Sequence, residues 1–82
     1  MAAPKELKYE IINSVGIIAE KPTGWKKELN RISWNGGEPK YDLRDWSPNH
    51  EKMGKGINLT EAELRSLKTI IDAEIKFLDT DL

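Results

Sequence analysis

Asn35-Gly36-Gly37 closes one segment of alternating side chains, Trp25 to about Asn35, and leads through Glu38-Pro39 into a second, Lys40 to Trp46. Asn and Gly accept positive φ at little cost, and a tight turn between antiparallel strands demands that conformation. The chain therefore has to double back here. A lone hairpin is marginal in water, so further elements must cover it, and the flanking sequence supplies them. Upstream, Leu7, Tyr9 and Ile11 alternate with Lys8 and Glu10. The pattern changes phase at Ile11-Ile12 and resumes as Val15, Ile17 and Ala19, with Ile18 on the other face. Asn13, Ser14 and Gly16 lie at the change. One long strand bent by a bulge is expected, in preference to two strands joined by a turn. Lys21-Pro22-Thr23-Gly24 closes it.

In the second strand Trp25, Lys27, Leu29, Arg31 and Ser33 share one face, and Lys26, Glu28, Asn30, Ile32 and Trp34 share the other. Leu29 and Ile32 differ in parity, so a second bulge or a strong twist is expected between them. The third strand is segregated most sharply. Tyr41 and Leu43 point one way, and Lys40, Asp42, Arg44 and Trp46 the other. After the polar loop Ser47 to Lys52 and Met53-Gly54-Lys55-Gly56, Ile57 and Leu59 alternate in a short fourth strand. Thr60-Glu61-Ala62-Glu63 is a capping box. From there to about Leu78, Leu64, Leu67, Ile71, Ile75 and Leu78 form a stripe widened by Ile70 and Phe77. Glu61–Arg65 and Asp72–Lys76 are expected as pairs one turn apart on the wet side. The stripe is wider than one small sheet needs, so part of it is expected to pack on a second copy. The predicted architecture is α+β: a curved four-stranded antiparallel sheet followed by one C-terminal helix, ββββα, with residues 1–82 forming a single domain.

Composition narrows the function. With 38% hydrophobic and 33% charged residues the 82-residue chain is of ordinary globular type, and it has no cysteine for disulfides, thiolate chemistry or sulfur-ligated metal. No apolar run reaches the roughly 20 residues of a membrane span. Met1-Ala2-Ala3-Pro4-Lys5 has no apolar core of a secretory signal, so a cytoplasmic location is expected. Net charge is −1, yet it is segregated: ten Lys/Arg against eight Asp/Glu in residues 1–55 (+2), three against six in residues 56–82 (−3). Charges beyond about 10 Å are screened at ordinary salt, so a locally basic face remains compatible with phosphate binding.

All three tryptophans lie between Trp25 and Leu59. Side chains at i and i+2 of a strand stand roughly 6.6 Å apart, a workable step between unstacked nucleotides. Lys40, Arg44 and Trp46 on one face, with Trp25, Lys27 and Arg31 on the adjoining strand, would set phosphate contacts beside stacking platforms. Ser33 and Asn35 would add neutral hydrogen bonds. The competing reading makes the tryptophans core and the cations a solvated surface. Trp34, with the parity of Ile32, stands open to either.

Tyr41-Asp42-Leu43-Arg44-Asp45-Trp46, then a short loop, Gly54-Lys55-Gly56-Ile57-Asn58-Leu59-Thr60 and an amphipathic helix, resembles the single-stranded-DNA-binding domain of the positive cofactor four family of transcriptional coactivators. With Gly24-Trp25-Lys26-Lys27-Glu28-Leu29-Asn30-Arg31 and Trp46-Ser47-Pro48 included, nearly the whole chain resembles the small bacterial YdbC-like branch of that fold. The resemblance implies a homodimer with paired curved sheets holding single-stranded DNA with little sequence preference. It matches Arg44 to a phosphate-contacting arginine, Trp46 to a stacking aromatic and Lys55 to the basic residue of the Lys-Gly-Ile turn, and Trp34 loosely to a stacking aromatic. The Ser/acidic regulatory tail of eukaryotic members has no counterpart to carry over. The expected contact set is Trp25, Lys27, Arg31, Ser33, Trp34, Lys40, Arg44, Trp46, Lys52 and Lys55, with no cofactor and no metal.

Other constellations fall short. His50, the single histidine, sits in a loop without a second nitrogen or sulfur ligand and reads as solvated. Asp42 and Asp45 lie on opposite pleat faces and cannot flank one bond as an acid/base pair, so Asp42 reads as a brace for Arg44 or Lys27. Gly54-Lys55-Gly56 is too short for a phosphate loop and precedes a strand. Binding is therefore expected rather than catalysis. The alternatives are a protein-interaction module or an RNA-binding protein using the same face.

Overall fold

The computed structural model describes residues 8–80, and Leu7 falls outside them. Strands β1 (Tyr9–Glu20), β2 (Lys26–Trp34), β3 (Lys40–Trp46) and β4 (Met53–Leu59) precede helix α1 (Glu61–Thr80). They pair in chain order, each antiparallel to the next. The β2–β3 turn forms as its residues demand: Asn35 and Gly36 have φ of 51° and 74°, and the Gly37 amide donates to the Trp34 carbonyl at 2.9 Å.

β1 is one bent strand, as expected, but it bends three times. Its pairing with β2 slips between Ile11 and Asn13, Ser14 and Gly16, and Ile17 and Ala19, leaving Ile12, Val15 and Ile18 as extra residues. Each bulge adds local bend and twist. The bulge anticipated within β2 is absent, since its pairing with β3 is unbroken from Lys26 opposite Trp46 to Ile32 opposite Lys40. Leu29 and Ile32 differ in parity because each face of the sheet has its own packing. The curl is large. Tyr9 opposes Trp34 and Trp46 opposes Lys26, and the run from Lys26 to Trp34 would measure roughly 26 Å if straight. The Tyr9 and Trp46 rings nevertheless lie 5.5 Å apart, so the sheet is concave on the side that carries them.

The helix lies on the other side. Leu29, Leu43 and Ile57 are cross-strand neighbours there, as are Arg31, Tyr41 and Leu59. A groove of about 580 Å³ separates this face from Leu64, Leu67 and Ile71 of α1. The capping box forms reciprocally, the Thr60 amide donating to Glu63 at 2.8 Å and the Glu63 amide to the Thr60 hydroxyl at 3.1 Å. Those bonds hold the Glu63 carboxyl below its usual pKa. Arg65 pairs with Glu61 as expected, whereas Asp72 pairs with Lys68, 2.7 Å away, instead of Lys76.

Among the described residues only Ile32 and Trp46 are buried hydrophobics, and α1 buries no residue. The radius of gyration is 15.7 Å, against about 12 Å for a compact domain of this length. Burial of apolar surface is what stabilises a fold, and much of that surface is left uncovered here.

Gly56 governs the approach of β4 to β3. A Cβ there would stand 2.5 Å from Arg44 Cβ and 2.6 Å from the Leu43 carbonyl oxygen. Gly56→Ala is expected to cost about 1–3 kcal/mol, the usual penalty of overpacking, measured by urea denaturation. Gly16→Ala meets nothing within 4 Å and is the control in the same sheet.

Candidate nucleic-acid interface

The concave face gathers side chains from every strand and from the β3–β4 loop. Asn30, Asp42 and Asn58 line up across β2, β3 and β4, with Glu28, Arg44 and Gly56 in the next row. Arg44 is clamped there. Its Nε donates to Asp42 Oδ1 at 2.7 Å and its Nη2 to Oδ2 at 2.6 Å, while Nη1 reaches the Gly54 carbonyl at 3.3 Å and Met53 Sδ at 3.2 Å. The guanidinium carbon lies 4.7 Å from the Trp34 ring centroid, a cation–π contact. Trp34 in turn donates from Nε1 to Asn58 Oδ1 at 2.8 Å and has the Tyr9 ring 5.5 Å away. Asp42 thus braces Arg44, as its position leads one to expect, and the indole of Trp34 is fixed by its edge and one face.

Of the tryptophans, Trp34 is half-buried and Trp46 is 0% exposed. Trp46 was expected as an open stacking platform, and the structure corrects this. The curl of β1 brings Tyr9 against it, and His50 stacks on it at 4.4 Å with planes 10° apart. It is enclosed on the concave side, away from the helix. His50 is likewise no solvated loop histidine, since Nε2 lies 3.0 Å from Glu28 Oε2.

The cations divide between faces. Lys40 and Arg44 are concave. Lys27 opposes Asp45 and Arg31 opposes Tyr41, which places both on the helix side, not beside Arg44 as expected. The parity count was right, but pairing Lys27's row with Arg44's was not: in an antiparallel pair, directly opposed residues share a face, and Arg44 opposes Glu28. Near Lys27, Asp45 accepts from Lys21 Nζ at 2.7 Å. That bond, helped by the charges of Lys21 and Lys27 against the opposing effect of burial, holds its carboxyl below the usual range. Ser33 also leaves the set facing Arg44, its hydroxyl donating to the Gly37 carbonyl at 2.6 Å. Trp25 is half-buried just ahead of β2. Lys40, Lys52 and Lys55 are exposed and carry no ion pair among the described residues.

Tyr9, Asn58, Glu28 and His50 are the members that sequence reasoning missed. Tyr9 had a signal in its alternation with Lys8 and Glu10, but its neighbours depend on the three bulges. No group of three or more His, Cys, Asp or Glu among the described residues is placed to hold a metal ion, and no described helix is long and apolar enough to cross a membrane.

Residues 21–70 match the family model described as Transcriptional Coactivator p15 (PC4). An uncharacterized protein of Treponema pallidum (strain Nichols) is 45% identical over 65 residues, which is 79% of this chain and 76% of that protein.

Proposed function

The chain belongs to the Transcriptional Coactivator p15 (PC4) family, and from that premise we propose that it binds single-stranded DNA on its concave face, without strong sequence preference and without a chemical step. The observation that carries this reading is the Trp34–Arg44 pair. A half-buried indole held by Asn58 stands beside a guanidinium fixed by Asp42, on the face turned from the helix. Stacking tolerates any base because every base has a π-face, and cations alongside it take up phosphates. Half-exposed Tyr9 and exposed Lys40 extend the same surface. Lys52 and Lys55, in the loop and β4 beside it, are proposed to follow the backbone outward.

The binding unit in this proposal is a homodimer. Ile57, Ile70, Ile75, Phe77 and Leu78 are exposed, and the groove between sheet and helix is lined mainly by aliphatic side chains. A second copy would cover both. Such a protein would act in the cytoplasm wherever strands are separated, in transcription, replication or repair.

Titration with oligo-dT, followed by tryptophan fluorescence, tests the reading. Quenching is expected, with log K falling linearly in log salt by about 0.7 per phosphate neutralised. Duplex of equal length is expected to bind far more weakly, its bases being closed to stacking. Equal affinity for the two would sink the mechanism.

A further inference from the structure

Glu28, Asn30 and His50 border a cleft on the concave face that the Trp34–Arg44 pair does not occupy. The loop that carries His50 is closed by its own bonds. The Ser47 amide donates to the Lys52 carbonyl, the Lys52 amide to the Ser47 hydroxyl and the His50 amide to the Ser47 carbonyl, each at 2.9 Å. This loop holds His50 at a φ of 60°, a conformation uncommon for any residue with a side chain. One face of the imidazole lies on Trp46 and the Nε2 edge meets Glu28. The side chain is still 36% exposed. His50 borders a cleft of about 400 Å³ lined also by Ser14, Gly16, Ile17 and Asn30, within the range of small-ligand sites.

We infer that this cleft is a nucleobase subsite, in which an unstacked base of the bound strand lies on the outer face of His50, with Trp46 as the buried backing of the stack. The inference rests on the single-strand reading above and adds a residue to it. Two rings already parallel present a third with a platform whose ordering is complete before binding, so little side-chain freedom is lost on contact. The wall chemistry selects the base over the backbone. Glu28 accepts from Asn30 Nδ2 at 3.0 Å and meets His50 through its other oxygen. A carboxylate there repels phosphate while accepting from the N–H groups of a base edge. Ile17 supplies apolar contact, and Gly16 keeps the wall free of a side chain.

The test is the oligo-dT titration repeated on His50→Asn and His50→Phe. Asparagine tolerates positive φ, so the first removes the ring with little backbone cost. The second keeps an aromatic face. Binding by His50→Asn is expected to fall between about fivefold and a hundredfold, the range for losing a stacking ring, with the salt slope unchanged because no phosphate contact is lost. His50→Phe is expected to stay within about threefold of the parent, since the platform remains. Thermal midpoints of both variants show whether the fold is kept. Unchanged or tighter binding by His50→Asn overturns the subsite, the tighter case making the loop a cover over Trp46. A lowered salt slope overturns it too, by making His50 a phosphate contact. If Lys40→Ala weakens binding and His50→Asn does not, only the subsite falls. If the parent fails to bind oligo-dT, the underlying reading falls with it.

Discussion

Arg44→Ala is expected to lose about 3–5 kcal/mol of stability, the cost of stranding a buried charge, and to lose oligo-dT binding as well. Asp42 is 0% exposed, and both of its oxygens take their bonds from Arg44, whose side chain is itself only 11% exposed. Without the guanidinium the carboxylate has neither water nor a partner, and Trp34 loses the cation over its ring. Urea denaturation at fixed protein concentration measures the first effect. The double variant Asp42→Leu/Arg44→Met separates it from the second. Replacing both members of a buried pair by apolar groups is often neutral or stabilising, so stability should return while DNA affinity stays low. A single variant that lost less than about 1 kcal/mol would show the pair to be solvated, as exposed pairs are. A double variant that bound normally would remove Arg44 from the interface.

The second large effect concerns self-association. Ile71→Asp/Ile75→Asp is expected to weaken dimerisation on the order of a hundredfold or more, because it would bury unpaired carboxylates between copies. Ile71 and Ile75 are 44% and 50% exposed in the single chain, so the substitutions do little harm within one protomer. Sedimentation at micromolar concentration reads the outcome directly, as dimer for the parent and as monomer or unfolded chain for the variant. The parent's unfolding midpoint should also rise with protein concentration, as association linkage requires. A parent that sediments as a monomer, or a variant that still dimerises, would remove the second copy from the proposal.

Local signals in the chain were strong where one residue type meets one geometric demand. Asn35-Gly36 fixed the hairpin and Thr60 with Glu63 fixed the helix start. Alternation through Lys40 to Trp46 placed that strand to the residue and put Asp42 and Arg44 on one face. The phase change at Ile11-Ile12 showed that β1 bends. The same change could not show three bends, because an extra residue in a bulge is as apolar as its neighbours: Ile12, Val15 and Ile18 read like any strand residue. Everything downstream of that count was illegible, including Tyr9 reaching Trp46 and the enclosure of Trp46. The misplaced neighbours of Arg44 have a different origin. Parity along β2 was correct, but the face that Lys27 shares across the strand pair depends on register, and either register was consistent with a strand whose two faces are both mixed.

Element order, the concave–helix division of β3 and the breadth of the helix stripe are properties of the chain alone, because they follow from backbone conformation and side-chain period within short windows. Which rings meet, which cation stands over Trp34 and which of Trp46 and His50 faces solvent were decided only by the tertiary structure. These depend on how far the sheet curls, and curl accumulates from bulge to bulge across residues far apart in sequence.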